Sequence, residues 1–195
     1  MKKHLRFSFL ILGLVLSVAA CSSTPVLDTS GDYTFTHDIT DEKFDKILDT
    51  FSKKDEQYAG FGSVYQLYAT LKNSAVIEAQ LMRQAQDFKW TREHFFKERE
   101  KASQEMSNES EVFLSFFSPV VENENLHSGK SIWKIYLVSE GTRYEGKVQK
   151  SLDALAQLQR LYPQHSKFFS AYTVKFKVPM SKVQQSNSQF ILTGP

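Results

Sequence analysis

The side chains best suited to chemistry are few and scattered. His94 and Glu98 stand four apart, a spacing that puts two metal ligands on one helical face, but no His-Glu-x-x-His run completes such a site. A solvated helix face accounts for the pair more simply. Gly129-Lys130-Ser131 repeats the end of a phosphate-binding loop, yet Glu124 occupies the position where that loop requires its first glycine. Gly60-Phe61-Gly62 is a fragment of a dinucleotide fingerprint without its third glycine, and reads as a flexible helix start. Glu122-Asn123-Glu124-Asn125 offers oxygen ligands to calcium but lacks the spaced ligands and glycine of an EF-hand loop, and reads as a hydrated hairpin loop.

Nucleophilic chemistry fares no better. No Gly-x-Ser-x-Gly elbow occurs, and His165-Ser166 with Asp153 upstream supplies the residue types of a triad without any sign of its geometry. No catalytic residue, metal site or cofactor is therefore expected, and the chain reads as a non-enzyme. Arg92 and Arg99 interrupt an otherwise apolar helical stripe. Their stems can cover apolar surface while their heads reach solvent or acids; the sharper alternative is a partner surface, since arginine is enriched at interfaces.

Cys21 is the single cysteine, so no intrachain disulfide can form, and an exposed free thiol would be a liability in an oxidising compartment. Lys2, Lys3 and Arg6 precede an apolar run from Phe7 to Ala20, which is shorter than the roughly 20 residues needed to cross a bilayer core. A basic start followed by a short apolar stretch describes a secretory signal.

Val18-Ala19-Ala20-Cys21 resembles the lipobox of bacterial prolipoproteins, with valine in place of the commoner leucine. The resemblance implies cleavage before Cys21, acylation of that cysteine with palmitate-type chains, and a mature protein held by membrane lipid. Each buried acyl methylene contributes about 0.8 kcal/mol, so two or three chains hold lastingly where one holds marginally. Ser22 in the following position resembles the signal that sorts lipoproteins to the outer membrane of a Gram-negative envelope.

Loss of residues 1–20 removes three basic side chains, leaving 21 Lys and Arg against 22 Asp and Glu, so the formal charge moves from +2 to −1. The basicity of the whole chain belongs partly to the signal, and nucleic acid is not an expected partner.

From Ser22 to Asp38 the chain is rich in Ser, Thr, Asp, Gly and Pro and reads as a flexible tether, so 21–38 forms the acylated N-terminus and its linker. A helical region is expected over 39–107. Thr40 caps its first helix, with Ile39 and Phe44 as a hydrophobic staple. A second helical face runs through Phe61, Val64, Leu67, Tyr68 and Leu71, and a longer helix follows through Ile77, Leu81, Ala85, Phe88, Arg92, Phe95, Arg99, Ala102 and Met106.

Beyond Ser107 the period changes to two. Val112–Phe117, Ile132–Val138, a weaker Arg143–Gln149, Tyr172–Val178 and Phe190–Leu192 read as strands, and a short helix from Leu152 ends near Tyr162-Pro163. The expected fold class is α+β: N-terminal helices, then a mostly antiparallel β domain over 108–195 with one short helix, possible as an immunoglobulin-like sandwich. The expected function is a membrane-anchored envelope lipoprotein acting as a structural or protein-binding module with an envelope protein partner. The alternatives are a hydrolase or carbohydrate-active enzyme with a dispersed site, and a carrier of an apolar ligand, which requires a sizeable apolar cavity.

Overall fold

The computed structural model describes residues 38–185 and 187–194. Cys21, the signal expected over 1–20 and all of the 21–38 tether except Asp38 lie outside the described residues.

The first helix starts as its sequence dictates. Thr40 precedes α1 (Asp41–Phe51) and its hydroxyl accepts from the Lys43 amide at 3.3 Å, while Asp41 and Glu42 meet the positive end of the helix dipole. Ile39 and Phe44 share one buried cluster and form the expected staple.

The second helix is not formed. The segment carrying Phe61, Val64, Leu67, Tyr68 and Leu71 belongs to a hairpin, in which β1 (Ser52–Ala59) pairs antiparallel with β2 (Gly62–Leu71). Its two-residue turn, Gly60-Phe61, places Gly60 at φ +61°, a conformation glycine adopts without penalty, so this glycine pair marks a turn rather than a helix start. In β2, Tyr65, Leu67, Ala69 and Leu71 point toward the core and Gln66, Tyr68 and Thr70 alternate with them.

The long helix expected through Ile77 and Met106 is two helices, α2 (Ser74–Phe88) and α3 (Arg92–Asn108). Lys89 turns left-handed at φ 53°, and Thr91 caps α3 by accepting from the His94 amide at 3.2 Å. Asn73 caps α2 in the same way, its side-chain oxygen accepting from the Val76 amide at 3.0 Å. The region 39–107 is thus not uniformly helical. Its hairpin pairs directly with the strand that follows residue 107, and the described residues all fall in one compact unit.

The period-two segments fold as expected into β3 (Ser110–Phe117), β4 (Lys134–Ser139), β7 (Ser170–Phe176) and β8 (Gln189–Thr193). The weak candidate at 143–149 breaks at Gly146 into β5 (Thr142–Glu145) and β6 (Lys147–Lys150), which enter different sheets. Two short helices, α4 (Leu155–Leu161) and α5 (Met180–Gln185), complete the α+β fold.

The sheets run β1-β2-β3-β7-β6 and β5-β4-β8, and every neighbouring pair is antiparallel. That order differs from the ABED and CFG sheets of an immunoglobulin domain. One core joins the two sheets: Leu114, Phe116, Val174 and Phe176 meet Trp133, Ile135 and Leu137, and Met180 and Val183 of α5 pack among them. On the other face of the larger sheet, Tyr162 stacks on Phe113 with ring centroids 3.5 Å apart, and Leu158 of α4 joins them. Arg160 of α4 reaches Asp87 of α2 at 2.9 Å and Asp41 of α1 at 3.4 Å, which fastens the helical layer.

Candidate functional site

Each sheet has two edge strands, β1 and β6 in the larger and β5 and β8 in the smaller, and β1 and β8 flank one opening. Between these edges lies a groove of about 500 Å³. Its floor is apolar: Leu67, Ala69 and Leu71 of β2 and Val112 of β3 face Leu137 of β4, and Phe190 and Leu192 of β8 line the opposite wall. These positions alternate along their strands, so the same period that builds the core also lines the groove where the core opens.

The two edges differ in chemistry. β1 reads Ser-Lys-Lys-Asp-Glu-Gln-Tyr-Ala, is exposed almost throughout and carries a register irregularity between Gln57 and Tyr58. Charges and a bulge are devices that keep an open edge from pairing with another chain. β8 reads Gln-Phe-Ile-Leu-Thr and has neither a charge nor a proline. At the rim, the Tyr65 hydroxyl donates to Asp55 at 2.7 Å, and burial, reinforced by that carboxylate, pushes the phenol up to about 12. Tyr65 therefore stays a neutral donor that holds Asp55 at the groove.

A smaller cleft of about 160 Å³ between α2 and α3 is polar. Lys72 and Glu111 form its ion pair at 2.5 Å, and Lys175 pairs with Glu109 and lies 3.9 Å from Glu111. These four charges satisfy one another, which makes them a structural network across the end of the sheet.

The scattered candidates from the sequence occupy structural positions. His165 turns inward, 3% exposed, and its Nδ1 lies 2.8 Å from the Ser115 hydroxyl; burial lowers the imidazole from its ordinary value. Ser166 instead accepts from the Phe168 amide at 3.4 Å, and Asp153 accepts from Ser151 at 2.8 Å, so His165, Ser166 and Asp153 do not assemble. His94 packs its ring edge-on to Trp90, and among the described residues no three His, Cys, Asp or Glu side chains converge on a metal position.

Glu124 and Asn123 serve as fasteners, the first accepting at its carbonyl from the Tyr172 hydroxyl and the second from the Trp133 indole at 2.8 Å. Gly129-Lys130-Ser131 lies in a loop fixed by Ser128 and leads into β4 rather than a helix. Arg99 of α3 donates to Glu78 of α2 at 2.8 Å, and the Arg92 guanidinium lies 5.6 Å from the Phe96 ring, so both arginines have intramolecular contacts. Neither lines the groove between the sheets.

No motif or spacing in the sequence marks the groove or the β8 edge. The available signal was Gln189–Thr193, a strand with no charged residue to guard it. No family model matches this chain, and no curated protein or solved structure matches it.

Proposed function

We propose that this chain is a lipid-anchored lipoprotein of the bacterial envelope, acylated at Cys21 and directed to the outer membrane by Ser22, whose folded part is a non-catalytic protein-binding module. One observation carries the binding role: an uncharged edge strand, β8, borders an apolar groove while the opposing edge, β1, is charged and bulged. An extended segment of a partner could add a strand to β8, gaining backbone hydrogen bonds, and place alternate side chains in the groove. The anchor is supported by the charged start, the short apolar run and the small residues before Cys21.

A photo-crosslinking residue at Gln189, in intact cells, should join the protein to a discrete partner. Ile191→Lys should abolish that product, because a lysine on an edge strand opposes strand addition. Unchanged crosslinking in Ile191→Lys would sink the strand-addition reading. The volume and lining of the groove favour a second reading, a carrier of an apolar ligand. Native mass spectrometry of the purified chain would support the carrier if it found a bound lipid lost on Leu137→Lys. Labelled palmitate should enter the protein and disappear in Cys21→Ala; an unlabelled wild type would remove the anchor.

A further inference from the structure

Nine large apolar side chains stand exposed among the described residues, and at least six of them gather at one end of the five-stranded sheet. The register locates them. Phe61 forms the tip of the β1–β2 hairpin beside Tyr58; β3 ends at Phe117, opposite Gln66, and leads into Val120 and Val121. β7 starts at Ser170, opposite Phe116, just after Phe168, and β6 ends at Lys150, opposite Tyr172, just before Leu152.

Four separate loops therefore present apolar residues in the same direction along the strands. The loop after β3 is fastened beside the hairpin by Ser118, whose hydroxyl donates to the Val64 carbonyl at 3.2 Å. Phe169 packs against Tyr68 and Phe117, at ring distances of 5.7 and 6.1 Å, and so seats the loop that exposes Phe168.

We propose that this end of the sheet inserts its loop tips into the interfacial layer of a lipid bilayer. The occupant is argued from shape, charge and reach. The tips belong to different loops, and none of the six lines the groove or the polar cleft. A fluid interface closes around separate projecting side chains, whereas a folded partner must supply a matching hollow for each.

Lys167 holds its ammonium 5.2 Å from the Phe168 ring, and its long apolar stem lets the charge rise to headgroup level as the aromatic enters the interface. Lys130, Lys150 and Lys167 in these loops and strand ends are matched by Glu122, Glu124 and Asp153, so insertion depends on apolar area and needs no anionic lipid. The reach rests on the anchored reading: 17 peptide steps separate Cys21 from Asp38 and span at most about 60 Å. A weak insertion suffices on such a leash, because the anchor supplies a high local concentration of membrane.

The test uses the mature chain from residue 21 with Cys21→Ser, so that no acyl chain contributes. It should co-sediment with neutral phosphatidylcholine vesicles, with little change between low and high salt. Phe61→Ala should weaken partition by roughly tenfold or more, the worth of one buried phenyl ring. Ile191→Lys should leave partition unchanged.

Phe61→Trp supplies a reporter at a fully exposed position, and its emission should shift to the blue on vesicles. No partition by the Cys21→Ser chain, or equal partition of Phe61→Ala, would overturn the proposal. So would a protein dimer that Phe61→Ala disperses without any vesicle binding. Failure of palmitate labelling at Cys21 would remove the anchor while vesicle partition still reported on the loops, so the two failures are distinguishable.

Discussion

Ser115 and His165 meet at 2.8 Å inside the protein, one from the middle of β3 and the other from the loop between α4 and β7. Although nucleophile and base types are in contact, both side chains are buried, and the imidazole edge lies against Phe113 at a ring distance of 6.1 Å. The pair ties the loop to the sheet. Since burial favours neutral imidazole in the folded state, the unfolded chain binds the additional proton as pH falls below about 6.5.

Stability should thus be full above the ordinary histidine value and decline from there down to the lowered folded value. Urea unfolding at pH 7.5 and 5.5 should show a loss at the lower pH that His165→Gln reduces. Ser115→Ala should cost about 1–3 kcal/mol at pH 7.5 by stranding the ring nitrogen.

Arg83 is 2% exposed, with its guanidinium 4.4 Å from the Phe44 ring and paired to the exposed Asp41 carboxylate. The hydrogen bond and charge of Arg83 hold the Asp41 carboxyl below its usual range. This contribution is present at neutral pH and is lost as pH falls through the depressed value. Packing of the arginine stem between α1 and α2 is the larger part of its role, since its partner is open to water. Arg83→Met should therefore lose about 1 kcal/mol or less, and Arg83→Ala about 2–4 kcal/mol, by chemical denaturation.

Gly146 is where the chain leaves the three-stranded sheet for the five-stranded one. A Cβ there would come within 2.5 Å of Val174 Cγ1 and 2.9 Å of Phe176 Cε1. Gly146→Ala should destabilise by about 1–3 kcal/mol through overpacking. Val174→Ala combined with it should recover part of that loss, giving a favourable coupling in a double-mutant cycle; strictly additive losses would mean that the contact is not the cause.

β7 is legible because its residues alternate between the inter-sheet core and the other face, Tyr172, Val174 and Phe176 with Thr173 and Lys175, whereas β3 is buried on both faces and reads as a short, nearly continuous apolar run. β1 carries no such pattern, being exposed on nearly its whole length and held through its backbone by β2. β2 reads as a helix because Val64, Leu67, Tyr68 and Leu71 also satisfy a helical spacing, and the deciding partner, β3, lies some 40 residues later. The break between α2 and α3 falls at Lys89, a residue that gives little warning of a left-handed turn; the Thr91 cap was the one local sign. The groove could not be read at all, because it arises from the register of β2, β3, β4 and β8 together.

The Arg99–Glu78 pair separates a structural arginine from a docking one. The bond crosses from α3 to α2 at 2.8 Å with both side chains partly open to water, so its coupling energy should be about 0.5 kcal/mol in a double-mutant cycle. The Arg92 guanidinium lies over the Phe96 ring at 5.6 Å, and Arg92→Ala should change stability by less than about 0.5 kcal/mol. If these arginines belonged to the partner surface, both single variants would lose the crosslinked product formed from Gln189. With the β8 edge as that surface, the product should persist in Arg92→Ala and Arg99→Ala and vanish only in Ile191→Lys.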